Sequence, residues 1–147
     1  MFHKIQAVTP LEGAKLLAIF CEGVSKSYDM NPMIEQHAAF RPLRDAPGLF
    51  RRVTVEAGGC GISWNDSISL SCNELWENGT IEATPFDGLI AFSEATALWG
   101  LSESTLRKAV AYGRLREGVD CLKYGKQWIV SRTAMLREYG PPKIYCT

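Results

Sequence analysis

A single glycine, Gly100, separates two short apolar patterns of helical period in the C-terminal part of the chain. Ahead of this glycine, Ala95, Leu98 and Trp99 are spaced to share one face of a helix. Glycine readily adopts the left-handed conformation that ends a helix and turns the chain sharply. Behind it, Ser102 starts a second pattern of helical period. Two helices joined by so tight a turn are typical of a helix-turn-helix unit.

Serine hydroxyls mark the starts of three helices in this part of the chain. Ser93, Ser102 and Ser131 are the predicted N-caps, because a serine hydroxyl accepts a hydrogen bond from a free backbone N–H of the first turn. Between the second and third helices, residues 119–130 alternate on either side of Gly125, which predicts a β-hairpin. The predicted order is therefore helix, helix, hairpin and helix.

The second helix begins with short polar side chains, and basic side chains follow one turn later. When such a unit binds DNA, the leading end of this helix approaches the base edges in the major groove. Its free N–H groups also attract phosphate. A basic hairpin would grip the sugar-phosphate backbone without reading sequence. The predicted DNA-binding side chains are Ser102, Ser104, Thr105, Arg107 and Lys108 on the helix, Arg114 after it, and Lys123 and Lys126 on the hairpin.

The order of these features resembles the excisionase and MerR-like winged helix-turn-helix families. The resemblance rests on four segments in combination, which are FSEA (92–95), LWGLSESTLR (98–107), GRL (113–115) and KYGKQWIV (123–130). It implies that the second helix faces the major groove and that the hairpin is the wing. The residues in those roles would be Ser104, Thr105, Arg107 and Lys108 on the helix and Lys123 and Lys126 on the wing.

One departure from the family pattern lies just before the hairpin. There, Gly118-Val119-Asp120 places a carboxylate where many relatives carry a neutral or basic residue. A negative charge beside the wing repels phosphate. The sequence therefore predicts a weaker grip of the wing on the DNA backbone.

The N-terminal part of the chain has the alternating pattern of short strands. Segments 4–8, 15–21 and 24–28 are predicted strands, with turns at 9–13 and 22–23 and an end at 29–32; segments 52–56 and 61–64 form a second hairpin, and 68–70 is a further strand. Ser71 is a predicted N-cap for a short helix through Glu77. These patterns predict a small α+β unit built on an antiparallel sheet.

The order and spacing of residues in this part resemble a small bacterial family that is described only as a domain of unknown function. The residues that carry the resemblance lie at 8–10, 16–20, 22–23, 28–29, 40, 42–43, 50, 53 and 62–75. Members of the family are short, and some are joined to a helix-turn-helix. The resemblance implies a fold without an established activity and, by analogy, a regulatory or antitoxin-like role.

The predicted organisation is α+β, with a small antiparallel-sheet domain followed by a mostly helical winged helix-turn-helix domain. Its parts are residues 1–82, residues 86–140 and a C-terminal tail at residues 141–147. The net charge is zero, but residues 1–85 hold 7 Lys and Arg against 10 Asp and Glu, and residues 86–147 hold 9 against 6. An acidic part joined to a basic part fits a chain whose second half contacts phosphate.

Other classes of protein lack support in the sequence. No apolar run approaches the length of a membrane span, and the start of the chain lacks the pattern of a signal peptide, so the expected location is the cytoplasm. The scattered cysteines form no metal-ligand cluster, and no glycine-rich phosphate loop is present. We therefore expect no metal, no cofactor and no enzymatic activity. Cys60, in Gly58-Gly59-Cys60-Gly61, is better explained by a tight hairpin than by a nucleophile turn.

Three hypotheses follow for the function. The first is a sequence-specific DNA-binding transcriptional regulator, with an antitoxin as one form of it, that binds double-stranded DNA as a homodimer and uses its N-terminal domain for association or for a protein partner. The second is a protein-binding adaptor or inhibitor, of the antitoxin or phage-encoded kind, whose DNA binding is secondary. The third, an enzyme with Cys60 as nucleophile, is disfavoured because no base can be identified.

Overall fold

The computed structural model describes residues 2–144, and the chain divides between Pro85 and Phe86 into two compact units. The N-terminal unit consists of antiparallel strands with short helices, and the C-terminal unit combines helices with a small sheet. The predicted α+β class is therefore confirmed. No helix in the described part of the chain is long and apolar enough to span a membrane.

The N-terminal unit contains two antiparallel sheets, one with the strand order β1-β2-β3-β7 and one with the order β4-β5-β6. Its strands are β1 (Ile5–Leu11), β2 (Lys15–Phe20), β3 (Ser25–Asp29), β4 (Thr54–Val55), β5 (Gly61–Asn65), β6 (Ile68–Ser71) and β7 (Thr80–Ile81), and its α-helices are α1 (Asn31–Gln36), α2 (Pro42–Asp45) and α3 (Cys72–Asn78). Apolar side chains from both sheets and from the helices form one core, which includes Leu16, Phe20, Ile34, Ile62 and Leu75.

Local sequence signals in the N-terminal unit had mixed success. The Ser71 cap is confirmed, because its hydroxyl accepts a hydrogen bond from the Glu74 backbone N–H at 3.1 Å. The predicted turn at residues 9–13 was wrong in its first half. The first strand continues to Leu11, and Thr9 pairs with Leu17 on the second strand. The segment 29–32 ends β3 as predicted, but it also starts the helix α1, which the sequence analysis missed.

The C-terminal unit has a three-stranded antiparallel sheet with the order β8-β10-β9. Its elements are β8 (Leu89–Ala91), α4 (Phe92–Trp99), α5 (Glu103–Ala111), β9 (Cys121–Tyr124), β10 (Gln127–Ser131) and α6 (Arg132–Tyr139). The predicted hairpin is β9–β10, and the short strand β8, which was not predicted, pairs with β10 on the other side. The three helices pack around a core that includes Leu98, Leu106, Leu115, Val130 and Met135.

The helix starts of this unit follow the sequence signals in two of three cases. Ser131 caps α6 as predicted, with its hydroxyl accepting from the Ala134 N–H at 3.1 Å. Ser93 was wrongly predicted as the cap of α4. The N-cap is Ala91, and Ser93 lies inside the helix, where its carbonyl accepts from the Thr96 hydroxyl at 2.7 Å. The chain enters α4 directly from β8, so the helix start is set by the sheet and not by a serine.

The described part of the predicted tail, residues 141–144, packs on the end of α4. The Lys143 N–H donates a hydrogen bond to the Leu98 carbonyl at 2.8 Å. The Trp99 indole N–H donates to the Gly140 carbonyl at 2.8 Å. The first of these bonds satisfies a carbonyl that the end of α4 leaves without a partner within the helix. Residues 145–147 of the predicted tail lie outside the described residues.

Candidate nucleic-acid interface

The turn between α4 and α5 depends on Gly100. Its φ of 67° and ψ of 37° are left-handed, and its N–H donates to the Thr96 carbonyl. The Leu101 N–H donates to the same carbonyl at 3.0 Å. A Cβ at position 100 would lie 3.0 Å from Cδ of Lys143. Glycine is therefore favoured here by the backbone conformation.

The start of α5 carries a cluster of three hydroxyls. Ser102 is the N-cap, and its Oγ accepts from the Thr105 N–H at 3.2 Å, which confirms the predicted cap. The same Oγ lies 3.0 Å from Oγ of Ser104 and 2.9 Å from Oγ1 of Thr105. All three side chains are exposed. The leading end of the helix is thus polar and accessible, and Ser102 uses one acceptor site to hold the helix start.

Opposite faces of α5 have opposite character. Leu106 and Ala109 are buried in the core of the unit, whereas Arg107 and Lys108 are exposed. Ser104 and Lys108 share one face of the helix, because residues four apart lie one turn above each other. Each is two positions from Leu106, so this face is opposite the buried one. The exposed face of α5 therefore presents hydroxyl and cationic groups to solvent.

A shallow groove of about 350 Å³ lies between the start of α5 and the β9–β10 hairpin. The residues that line it are Ala91, Phe92, Ser93, Glu103, Arg107, Lys123, Lys126, Gln127 and Trp128. Three of the predicted DNA-binding cations, Arg107, Lys123 and Lys126, thus meet at one groove, although the lysines are more than ten positions away in the sequence. The groove is built by the fold and not by a run of basic residues.

Two of the side chains that line this groove are aromatic. Trp128 of β10 stacks on Phe92 of α4, with ring centroids 5.6 Å apart and an angle of 16° between the rings. Trp128 is half-buried and packs against the core of the unit. Glu103 was not predicted as part of the site, but it contributes the one acidic side chain of the lining. Its position in the first turn of α5 could have been noticed in the sequence, because a carboxylate there interacts favourably with the helix dipole.

A family model described as a helix-turn-helix domain matches residues 83–144. The C-terminal unit is a helix-turn-helix domain. The match covers both helices, the turn at Gly100 and the β9–β10 hairpin. No curated protein and no solved structure matches the chain.

Within the helix-turn-helix domain, Arg114 lies against α6. Its Nε donates to Oε1 of Glu138 at 3.0 Å, and its Nη2 donates to the Glu138 carbonyl at 2.7 Å. The guanidinium carbon lies 4.6 Å from the centre of the Tyr139 ring. Arg114 is not among the residues that line the groove. Its contacts in this structure connect the end of α5 to α6.

The carboxylate of Asp120 is buried, with 4% of its side chain exposed. It accepts hydrogen bonds from the Arg116 N–H at 2.8 Å and from two nitrogens of Arg137. Hydrogen bonding from Arg137, and then from the Arg116 backbone, lowers the pKa of Asp120. The negative charge that the sequence places before the wing is therefore paired with Arg137 inside the domain.

Two further features bear on other chemistry. Among residues 2–144, no group of three or more His, Cys, Asp and Glu side chains is arranged to hold a metal ion. Cys60 is an exposed free thiol in the turn before β5, and its Sγ lies 3.9 Å from the Gly58 carbonyl. The atom that this thiol contacts is therefore a backbone oxygen.

Proposed function

We propose that this protein is a sequence-specific DNA-binding transcriptional regulator. One observation carries the proposal: Arg107, Lys123 and Lys126 converge on a single groove beside the exposed polar start of α5 in a helix-turn-helix domain. Such a domain suggests DNA binding, and cations gathered from separate elements at one groove are what a phosphate backbone requires. Such a regulator would act in the cytoplasm by occupying an operator.

We assign the domain to the winged type, as in the excisionase and MerR-like families. The β9–β10 hairpin follows α5 in the chain, and its two lysines line the same groove as Arg107. In this arrangement, α5 enters the major groove with Ser104, Thr105, Arg107 and Lys108 facing the bases, and Ser102 approaches the backbone at the start of the helix. The wing then holds the adjacent phosphates through Lys123 and Lys126.

Arg114 has a different role in the proposal from the one that the sequence suggested first. Its guanidinium is paired with Glu138 and packed on Tyr139. We propose that it fixes α6 behind α5, with its exposed half free for a peripheral phosphate contact. Base reading and the main phosphate contacts belong to α5 and the hairpin.

We propose that the active form is a homodimer. Each chain carries one α5, and a single reading helix spans only a few base pairs. A sequence-specific operator then needs two such helices about one turn of DNA apart. The N-terminal unit, which has its own core and an acidic balance of charge, is the proposed site of association or of a protein partner.

The antitoxin type of regulator follows if that partner is a toxin. The competing function is an adaptor or inhibitor in which the N-terminal unit does the binding and DNA contact is secondary. Because the N-terminal unit is a compact body with its own core, it could serve either purpose. The two functions differ in whether the chain alone selects a DNA sequence.

Selection from a random pool of duplex DNA tests the proposal. The purified full-length chain is expected to enrich one motif with two-fold symmetry, and the Arg107→Ala/Lys108→Ala variant is expected to enrich none. An unchanged motif with the double variant would remove these residues from the interface. A chain that enriches no sequence by itself, but that purifies with a partner at fixed stoichiometry, would support the adaptor and overturn the regulator.

A further inference from the structure

A second cleft, of about 490 Å³, lies in the N-terminal unit between β3, α1 and α3. This volume is within the range of small-molecule sites, which is roughly 300–1,000 Å³. The residues that line it are Lys15, Ser27, Tyr28, Asp29, Pro32, Met33, Glu74, Asn78 and Thr80. None of them belongs to the helix-turn-helix domain, so the DNA interface leaves this cleft without a role.

A carboxylate held in a fixed position faces this cleft. Tyr28 is buried, with an exposed fraction of 7%. Its hydroxyl donates a hydrogen bond to Oε2 of Glu74 at 2.8 Å. The side-chain amide of Asn78 donates to the same oxygen at 2.7 Å. Burial, and then the hydrogen bond and charge of Glu74, raise the pKa of Tyr28, so the phenol remains a donor. Among residues 2–144, the other oxygen, Oε1 of Glu74, makes no hydrogen bond or ion pair with a protein group.

The other charges of the cleft offset each other. Lys15 and Asp29 are directly opposed across β2 and β3. Hydrogen bonds from Asn31, together with the positive charge of Lys15, lower the pKa of Asp29. The pair thus contributes a positive and a negative charge to the lining, and Glu74 adds one negative charge without a matching cation. The cleft is therefore complementary to a ligand with a single positive charge.

The remaining wall is suited to an apolar body. Pro32 and Met33 of α1 also line the cleft, and methionine adapts its shape to irregular ligands. The hydroxyls of Ser27 and Thr80 add hydrogen-bonding groups at its margin.

We infer that this cleft binds a small molecule with one protonated amine and a short apolar body. The ammonium donates to the free Oε1 of Glu74, while Tyr28 and Asn78 hold the other oxygen in place. The apolar body lies against Met33 and Pro32. This site does not rest on the DNA-binding function, and the chain would retain it if the helix-turn-helix domain served another purpose.

Titration of the isotope-labelled full-length chain by NMR tests this site with two probes of matched shape, 2-phenylethylamine and 2-phenylethanol. At neutral pH the first is a cation and the second is uncharged. The amine is expected to cause saturable shifts at Met33, Tyr28 and Asn78, with binding about tenfold tighter than the alcohol, as one charge-assisted hydrogen bond allows. Equal binding of both probes, or no saturable shift with the amine, would overturn the inference.

Two variants sharpen the result. Glu74→Gln keeps an oxygen that accepts from Tyr28 but removes the charge, and it is expected to lose the preference for the amine. Glu77→Gln removes an exposed carboxylate on the same helix outside the cleft, and it should bind as the unmodified chain does. Retention of the full preference by Glu74→Gln would contradict the assigned role. If Glu74→Gln unfolds, the binding of the two probes to the unmodified chain still tests whether the cleft prefers the amine.

Discussion

Arg137 donates two hydrogen bonds to Asp120, from Nη1 to Oδ1 at 3.2 Å and from Nη2 to Oδ2 at 3.0 Å. The first residue is on α6, and the second lies immediately before β9. Arg137 also donates to Glu138, which in turn accepts from Arg114 after α5. This network joins α5, α6 and the base of the β9–β10 hairpin. The hairpin that carries Lys123 and Lys126 is therefore fixed relative to the helix that carries Arg107.

Substitution of Asp120 by Asn tests whether this network orients the hairpin. The variant keeps the shape of the side chain but removes the charge that pairs with Arg137, so the hairpin base is expected to loosen. Backbone amides of β9 and β10 should exchange hydrogen several-fold faster than in the unmodified chain. Amides of α3 in the N-terminal unit serve as the internal control. Unchanged exchange in the hairpin would contradict an orienting role.

The same network predicts a dependence of stability on pH. The pKa of Asp120 is lowered below its ordinary value of 3.8 in the folded chain, chiefly by Arg137. Its ionised form therefore stabilises the fold fully above that value, and the contribution is lost as the pH falls through the lowered pKa. Urea unfolding from about pH 6 to about pH 3 should show a steeper loss for the unmodified chain than for Asp120→Asn. If stability falls equally with pH in both proteins, Asp120 is not the source of the pH dependence.

Two serines near helix starts give a matched pair of variants. Ser102→Ala removes the hydroxyl that accepts from the Thr105 N–H, and it should cost about 1 kcal/mol, the usual loss for a serine cap. Ser93→Ala should cost little, because Ser93 does not cap α4. Urea unfolding gives the energies, and hydrogen exchange of the α5 amides locates the effect. Equal losses in both variants would contradict the assignment of the caps.

Gly100→Ala tests the backbone of the turn. An alanine at the observed φ of 67° is expected to cost about 1–2 kcal/mol, because its Cβ crowds the following carbonyl. The new Cβ would also approach the side chain of Lys143, which is flexible and can move. The loss should therefore persist when Gly100→Ala is combined with Lys143→Ala. If the second change restores stability, contact with Lys143 and not the backbone is the cause.

Sequence reasoning worked where one residue and its nearest neighbours decide the structure. Gly100 ends α4 in the left-handed conformation, and Ser71, Ser102 and Ser131 each accept from an N–H three positions ahead. These features depend on a local hydrogen bond or a single dihedral angle. The residue type alone carries that information.

Sequence reasoning failed where residues far apart in the chain determine the structure. The charge of Asp120 is neutralised by Arg137, which is 17 positions away, so the residue read as a surface acid. The strand β8 has only three residues, and it exists because β10 offers it a free edge. In the candidate interface, Arg107, Lys123 and Lys126 were each predicted as DNA-binding residues. Only the folded structure shows that they line one groove together with Glu103.

The dependence of DNA binding on salt tests the central claim most directly. Each phosphate contact contributes about 0.9 to the slope of log Kobs against log salt concentration. Replacement of Lys123 and Lys126, the two proposed phosphate contacts of the wing, by Gln should therefore reduce the slope by about 1.8. The matched control replaces Arg51 and Arg52, which are exposed arginines of the N-terminal unit, by Gln and should keep the original slope. An equal slope for the groove variant and the unmodified chain, or an equal reduction in the control, would contradict the assignment of this groove as the DNA-binding site.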